Sequence, residues 1–459
     1  GAVASSEATS VRVSDAKARS VRRHSSAHAR PTRPIHSALF VMGKAVTLAW
    51  GLVQRARSGH VAAVTSSPTP ARSSGLGTRE FVALMAALMA SNALAIDSML
   101  PALPAIGEAL GVMDENRRQV VVTAYLIGFG AAQLLYGPLS DRFGRKWLLA
   151  GSLFFYGAFG LAAGFASSFE MLLGIRFLQG VAAAATRVLV VSVVRDLYAG
   201  PAMARIMSIT MIVFMIVPVL APALGQGVLA IGTWREIFYF LGIYGAILAV
   251  WMTLRLKETL PLEARRPLSA RSIGEAAWET LRTRQSIGNT LALTMLLGGL
   301  FAFINSIQQI VFDVFGQPEM LGLVFACVAG PMAISSYANS RLVMRYGSRR
   351  LLLIALSGFT AMAAIHLTVA EIWSESLWLF VALQAGTMIF FGMVGANAGA
   401  LAMEPLGHVA GTASSLQGMI TTIGGAGAGF AIGQSFDGTT IPFLIGFTSC
   451  GVTALLLAF

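Results

Sequence analysis

Three charged residues stand inside long apolar segments of this chain: Asp97, Arg176 and Arg187. A carboxylate in the apolar core of a membrane costs about 2.5–3.5 kcal/mol on insertion scales, so Asp97 is expected to face a cavity. Burial favours the neutral form of a carboxyl group, which allows it to bind and release a proton. We therefore predict that Asp97 binds protons. The alternative is an inert, paired carboxylate, or one that lies nearer the surface.

The two arginines are eleven residues apart. In a helix this spacing is about three turns, so both lie on one face and roughly 16 Å apart. Arginine keeps its charge and must find water, a carbonyl oxygen or a carboxylate. Asp97 is the acid predicted well inside a span, so we expect an Asp97–Arg176 interaction. Arg187 is expected either to line the substrate cavity or to extend toward the membrane surface.

Composition indicates which elements hold these charges. The chain is 56% hydrophobic and 12% charged, and its apolar residues form runs of about twenty. Such runs have the length that a helix needs to cross a bilayer. They are apolar all round, so we predict an all-α integral membrane protein that contacts the lipid bilayer. Cys327 and Cys450 lie in apolar runs, so neither a disulfide nor a metal site is expected.

Twelve transmembrane helices are predicted, in two pseudo-symmetric bundles of six. Their predicted ranges are 81–103, 119–139, 147–166, 170–194, 206–231, 237–256, 288–312, 319–343, 351–370, 377–398, 409–434 and 441–459. The chain accordingly divides into an N-terminal extension at 1–78, a first bundle at 79–256, a cytoplasmic linker at 257–287 and a second bundle at 288–459.

The N-terminal extension carries most of the positive charge. Residues 1–78 contain eleven Lys or Arg against Glu7 and Asp15, in a chain whose net charge is +12. The basic charge therefore belongs to the extension and not to the body, and no nucleic-acid partner is expected. Its Ser- and Arg-rich composition could mark an organellar transit peptide. A disordered or non-native extension without a function of its own is the preferred interpretation.

A charged turn, Gly137-Pro-Leu-Ser-Asp-Arg-Phe-Gly-Arg-Lys146, separates the second and third predicted spans. Gly137 and Gly144 permit tight chain reversal and close helix approach. Lys and Arg are concentrated in the turns after the second, fourth, sixth and eighth spans, whereas the opposite side has Arg117, Arg118 and Arg235. Positive residues mark cytoplasmic turns, so both termini are predicted to be cytoplasmic.

The charged turn recurs in the second half of the chain. Arg345-Tyr-Gly-Ser-Arg-Arg350 repeats Arg142-Phe-Gly-Arg-Lys146 at an offset of 203 residues, with Met344 in the place of Asp141. Duplicated halves are common in secondary transporters, whose substrate site lies between the repeats. The loss of the acid in the second copy predicts an asymmetric cytoplasmic gate.

These segments resemble motifs of the major facilitator superfamily. The charged turn is similar to its signature loop, and Arg176-Phe-Leu-Gln-Gly180 is similar to its second motif, which implies proton coupling by Arg176. Pro218-Val-Leu-Ala-Pro-Ala-Leu-Gly225 partly resembles the antiporter motif of drug exporters, through Pro218, Pro222 and Gly225. The match is partial, and an ordinary kinked helix is the alternative. The resemblance implies gating by Gly137, Asp141, Arg142, Gly144 and Arg145.

A narrower resemblance connects the chain to the bicyclomycin and chloramphenicol resistance subfamily. It rests on Asp97-Ser-Met-Leu-Pro-Ala-Leu-Pro104, Gln133-Leu-Leu-Tyr-Gly-Pro138, Arg195-Asp196 and Trp234-Arg-Glu-Ile-Phe238. It implies a monomeric, cofactor-free multidrug exporter of a bacterial inner membrane, which exchanges protons for small amphipathic drugs and confers antibiotic resistance. Candidate substrate-binding residues are Asn92, Tyr125, Arg187, Asn305 and Gln308, of which the last two are three residues apart and share a helix face.

Two other functions remain open from the sequence. A facilitator porter for a metabolite, such as a sugar or an organic acid, would need a defined polar site. A non-transporting membrane sensor would need a folded soluble output domain. No hydrolase elbow, zinc-helix motif or phosphate-binding loop stands in a plausible setting, so we do not expect an enzyme.

Overall fold

The computed structural model describes residues 75–198, 200–265 and 270–458. The N-terminal extension therefore lies outside the described residues, apart from its last four. Twelve helices of 18 residues or more follow one another: α1 Thr78–Asp97, α2 Val120–Phe143, α3 Arg145–Gly164, α4 Phe169–Leu197, α5 Gly200–Leu229, α6 Trp234–Arg255, α7 Arg284–Gln309, α8 Leu321–Tyr346, α9 Ser348–Ile372, α10 Leu377–Met403, α11 Ala410–Gln434 and α12 Ile441–Ala458. Shorter helices are Leu103–Ala109, Glu115–Arg118 and Ala270–Arg282.

Ten of the twelve long helices, some with the short turns that extend them, are long and apolar enough to cross a membrane. They make the chain a multi-pass membrane protein. The exceptions among the described residues are α11 and α5, the latter with only a shorter apolar helix at Ile216–Leu229. Twelve transmembrane helices therefore stays a prediction.

The first predicted span is broken next to Asp97. The α1 helix ends at that residue, and a 3₁₀ turn, Leu100–Ala102, leads into the short helix Leu103–Ala109. Pro101 and Pro104 occupy first-turn positions of these two elements. Proline lacks the N–H that a helix interior requires but is tolerated in a first turn. The span is therefore two helical pieces and not one, and Asp97 lies at the break between them.

The charged turn is much shorter than its sequence suggests. The α2 helix continues through Pro138 to Phe143, and α3 begins at Arg145. Gly144 alone reverses the chain, with a φ of +97°, in the left-handed region that favours glycine. The prediction of a turn from Gly137 to Lys146 is therefore wrong. Gly137 lies inside α2, where an added methyl group would be 3.1 Å from Ser415 Oγ, so it permits close helix approach.

Each half of the chain packs in a similar way. In the first half, α2 packs on α4, α3 on α6 and α1 on α5. In the second half, α7 packs on α11, α8 on α10 and α9 on α12. The two halves meet through α2 with α11 and through α5 with α8. If each helix is replaced by its counterpart in the other half, the α2–α11 interface becomes the α8–α5 interface, as the internal repeat requires.

Uncharged amides join the halves at the end opposite Gly144. Asn116 Nδ2 donates to the backbone oxygens of Gln434 and Phe436, each at 3.1 Å. Gln309 Nε2 donates to Asn116 Oδ1 at 2.8 Å. The other amide atom of Gln309, Oε1, accepts a short hydrogen bond from Gln119 Nε2. We call Asn116, Gln119, Gln309 and Gln434 the amide seal. It joins the two halves at one end of their interface.

Candidate proton and substrate site

Arg176 lies in the core of the first half, with no exposed surface. Its Nη2 donates to the Ala95 carbonyl oxygen at 2.8 Å, and its Nη1 donates to Gln179 Oε1 at 2.6 Å. The guanidinium carbon lies 4.5 Å from the ring centroid of Tyr125. Ala95 belongs to the last turn of α1, where carbonyl oxygens lack helical partners. Arg176 therefore caps the broken end of α1 and is stabilised by a cation–π contact.

The predicted Asp97–Arg176 pair is not formed in this structure. The ion pairs of the described residues include neither side chain. Asp97 is 3% exposed, and its Oδ1 has no hydrogen-bond partner among the described residues. Arg176 donates instead to a backbone oxygen two residues before Asp97 and to Gln179, while its Nε has no hydrogen-bond partner among the described residues. A lone, buried carboxyl group thus lies beside the capped end of α1.

Two predicted substrate residues, Asn92 and Tyr125, do lie together. The Tyr125 hydroxyl donates to Asn92 Oδ1 at 3.0 Å, and Asn92 Nδ2 donates to Thr186 Oγ1 at 2.9 Å. Tyr125 also contacts Arg176 through its ring, so it connects the capped end of α1 to this polar network. Sequence reasoning missed Thr186 and Gln179, although both are polar residues inside the apolar fourth span.

Arg187 differs from Arg176 although the two share α4. Arg176 is fully buried, whereas Arg187 is exposed. The same face of α4 is therefore buried at Arg176 and accessible at Arg187. The structure does not connect Arg187 by any described hydrogen bond to Asn92 or Tyr125.

Asn305 and Gln308, on α7, form a separate buried group. Neither amide atom of Asn305 has a hydrogen-bond partner among the described residues. Gly433 lies between Asn305 and the amide seal, because a methyl group added at Gly433 would be 3.2 Å from Asn305 Cβ and 2.4 Å from Gln119 Oε1. Asn305 therefore lies close to the amide seal. Buried amides are normally paired, and an unpaired one can bind a ligand. Four of the five predicted substrate residues thus fall into two groups, one in each half, which no described contact joins, and Arg187 stands apart from both.

A buried arginine organises the charged turn. Arg145 is 3% exposed and pairs with Asp141 Oδ1 at 2.6 Å and with Asp196 Oδ2 at 3.1 Å. Glu258 accepts hydrogen bonds from the backbone N–H groups of Arg145 at 2.9 Å and Lys146 at 3.2 Å. A carboxylate there complements the positive N-terminal end of α3. We call Asp141, Arg145, Asp196 and Glu258 the loop cluster.

The predicted gating residues take different places around the loop cluster. Gly144 makes room for Glu258, because a methyl group added there would lie 2.4 Å from Glu258 Oε2. Arg142 lies outside the cluster, exposed, with its guanidinium carbon 5.4 Å from the Phe143 ring centroid. Sequence reasoning missed Glu258. This acid stands at the start of a basic linker, more than a hundred residues from Arg145, so nothing in the sequence connects the two.

The predicted antiporter motif lies against the break in α1. A methyl group added at Gly225 would lie 1.9 Å from the Ser98 carbonyl oxygen and 3.0 Å from Pro101 Cγ. Pro218 and Pro222 remain inside α5, which continues to Leu229. The glycine therefore lets α5 approach the chain directly after Asp97.

Gly225→Ala should lower stability by about 1–3 kcal/mol, because the added methyl group forces α5 away from Ser98. The measurement is the thermal unfolding of the purified protein. Gly227→Ala is the matched control, since a methyl group there meets no described atom within 4 Å. Equal unfolding temperatures for the two variants would contradict the close approach of α5 to α1.

Comparison with known proteins places this architecture in a family. The model of the Major Facilitator Superfamily matches residues 84–429. An uncharacterized MFS-type transporter, YdgK of Bacillus subtilis, is 32% identical over 75% of this chain and 86% of its own length. A bicyclomycin resistance protein homolog of Haemophilus influenzae is 28% identical over 79% of this chain and 90% of its own.

Among solved structures, the xylose transporter XylE from E. coli, in a partially occluded inward-open conformation, has a TM-score of 0.65 at 12% identity. The match covers 83% of this chain and 97% of that one, and at such low identity it shows the fold alone. The helical packing, the repeat and the family match agree. The chain belongs to the major facilitator superfamily.

Proposed function

We propose that this protein is a proton-coupled multidrug antiporter that exports small amphipathic compounds by alternating access. The observation that carries the proposal is Asp97, a buried carboxyl group with an unpaired oxygen at the break of α1. The resistance function named for the Haemophilus influenzae relative supports drugs, including antibiotics, as the substrate class.

The proton site has a structural route to the interface between the halves. Asp97 is followed by Ser98, which adjoins Gly225 of α5, and α5 packs on α8 of the other half. Protonation removes one negative charge at the break. The loss of this charge changes how α1 and α5 can pack against each other there. Moving one charge through 100 mV supplies about 2.3 kcal/mol, and one pH unit supplies about 1.4 kcal/mol. Either gradient suffices for modest uphill export.

In the proposed cycle, residues 79–256 and 288–459 move as two units around the substrate. Asn92 and Tyr125 bind the substrate from the first unit, and Asn305 and Gln308 bind it from the second. Arg187 lies on the accessible part of α4. The charged turns support a cytoplasmic position for the loop cluster and both termini, and in that orientation the amide seal lies on the outer side. The loop cluster acts as the cytoplasmic gate, and Asp141 is the acid that the second copy lacks.

The function is tested by a drug-susceptibility panel in bacteria whose own efflux systems are deleted. Expression should raise resistance to several chemically unrelated amphipathic compounds. A protonophore should abolish the accompanying export of a fluorescent substrate. Unchanged susceptibility to every compound would refute the proposal and favour a metabolite porter.

A further inference from the structure

A buried acid–base pair lies in the second half, away from Asp97 and the loop cluster. His366 on α9 has no exposed surface, and its Nε2 lies 2.7 Å from Glu375 Oε1. Glu375 stands in the turn between α9 and α10, and its other oxygen, Oε2, accepts from Thr440 Oγ1 at 3.1 Å. Thr440 directly precedes α12. The carboxylate therefore holds the start of α12 against the end of α9, at the same end of the molecule as the amide seal.

Aromatic side chains from neighbouring helices enclose the imidazole. Its ring centroid lies 5.2 Å from that of Phe380 on α10. Phe380 in turn lies 5.9 Å from Phe315, in the turn after α7, and 6.2 Å from Phe443 on α12. The other ring nitrogen, Nδ1, has no hydrogen-bond partner among the described residues.

This arrangement leaves one vacant position for a proton. An imidazole that donates from Nε2 to an ionised carboxylate keeps a lone pair on Nδ1. A proton from water can add there without breaking the bond to Glu375. The pair then passes from a buried net charge of −1 to a neutral imidazolium–carboxylate pair. A buried charge is costly unless it is paired, so proton uptake removes an unfavourable charge.

Few other ionisable groups face this pair. In sequence, α10 carries none and α12 carries only the thiol of Cys450. The remaining acids at this end of the surrounding elements are Glu371 on α9, Asp437 before α12, and Asp313 and Glu319 after α7, and all four are exposed. Asp437 Oδ1 is engaged by the hydroxyl of Thr439 at 2.7 Å. Glu375 is therefore the buried counter-charge of His366.

We propose that His366 and Glu375 form a second proton-binding site, in the second half of the chain, which holds the α9–α10 turn against α12 in a proton-dependent way. Histidine is the side chain whose charge ordinarily changes between about pH 5 and 8. The existence of the site does not depend on drug export, and only its contribution to coupling rests on the proposed function.

The test is a pH titration of the full-length protein in lipid nanodiscs, labelled with ring-¹³C histidine and followed by NMR. His366→Gln identifies the signal by its loss. That signal should move from the neutral to the imidazolium position as the pH falls from about 8 to 5. Glu375→Gln removes the counter-charge and should change the pH dependence of that signal. Thr440→Val, the matched control, removes only the other hydrogen bond and should leave the titration close to that of the wild type.

A signal that stays fixed over this range, or that titrates identically in Glu375→Gln, would overturn the proposal. If His366→Gln does not fold, the signal is identified as the one that Glu375→Gln displaces and Thr440→Val does not. The NMR readout is independent of substrate, so a failure of the drug-export proposal would leave this result standing.

Discussion

Asp97→Asn should reduce proton-driven drug export at least about tenfold, to the level of cells without the transporter. Asparagine has the size of aspartic acid but does not titrate, so it removes the proton site and little else. The Oδ1 atom of Asp97 has no described hydrogen-bond partner, so the change breaks no bond at that atom. A tenfold loss corresponds to about 1.4 kcal/mol of coupling. Export of a fluorescent substrate from energised cells measures it.

The control for this variant is Ser98→Ala. Ser98 is also buried, and its hydroxyl donates to the Leu94 carbonyl oxygen at 2.6 Å, its one side-chain hydrogen bond among the described residues. It should keep most of the export, and immunoblotting of membranes should show both variants at wild-type amounts. Full proton-dependent export by Asp97→Asn would remove Asp97 from the mechanism.

Arg176→Ala should destabilise the protein by about 3 kcal/mol or more. The change leaves the Ala95 carbonyl oxygen and Gln179 Oε1 without their donor, and each unpaired buried polar group costs about 1–3 kcal/mol. It also removes the guanidinium from the Tyr125 ring. Thermal unfolding of the purified protein measures the loss.

Two companion variants sharpen this prediction. Arg176→Lys keeps the charge but not the planar fork that reaches two acceptors, so it should fall between the wild type and Arg176→Ala. Arg187→Ala removes an arginine of the same helix that makes none of the described side-chain hydrogen bonds or ion pairs, so it should lower the unfolding temperature much less than Arg176→Ala. The capping role of Arg176 is refuted if Arg176→Ala is as stable as Arg187→Ala.

The fold was largely predictable because apolar runs of bilayer length leave few alternatives to transmembrane helices. Two local departures from the predicted elements have physical causes. Around Gly144, the charged residues predict a water-exposed turn, but Asp141 and Arg145 pair across the single-glycine reversal and most of the segment is helical. At Asp97, Pro101 and Pro104 were visible as helix breakers, yet hydropathy alone does not show where the break falls.

The candidate site was less predictable than the fold. Charge reasoning pairs an arginine with the nearest acid, but Arg176 donates to a backbone oxygen and to a side-chain amide, which no charge pattern reveals. Glu258 reaches Arg145 from a distant linker, so only the folded chain brings them together. Asn92 and Tyr125 are recognisable in the sequence as polar residues in apolar spans, but their hydrogen bond depends on how α1 and α2 pack.

The amide seal has a consequence for how the two ends of the transporter sense their surroundings. None of its four side chains has a formal charge, so none gains or loses a proton at physiological pH. Dissolved salt therefore has little effect on their hydrogen bonds, because salt screens charges. The loop cluster at the opposite end consists of ions. In the proposed orientation, a rise in external acidity therefore does not titrate the hydrogen bonds of the amide seal themselves.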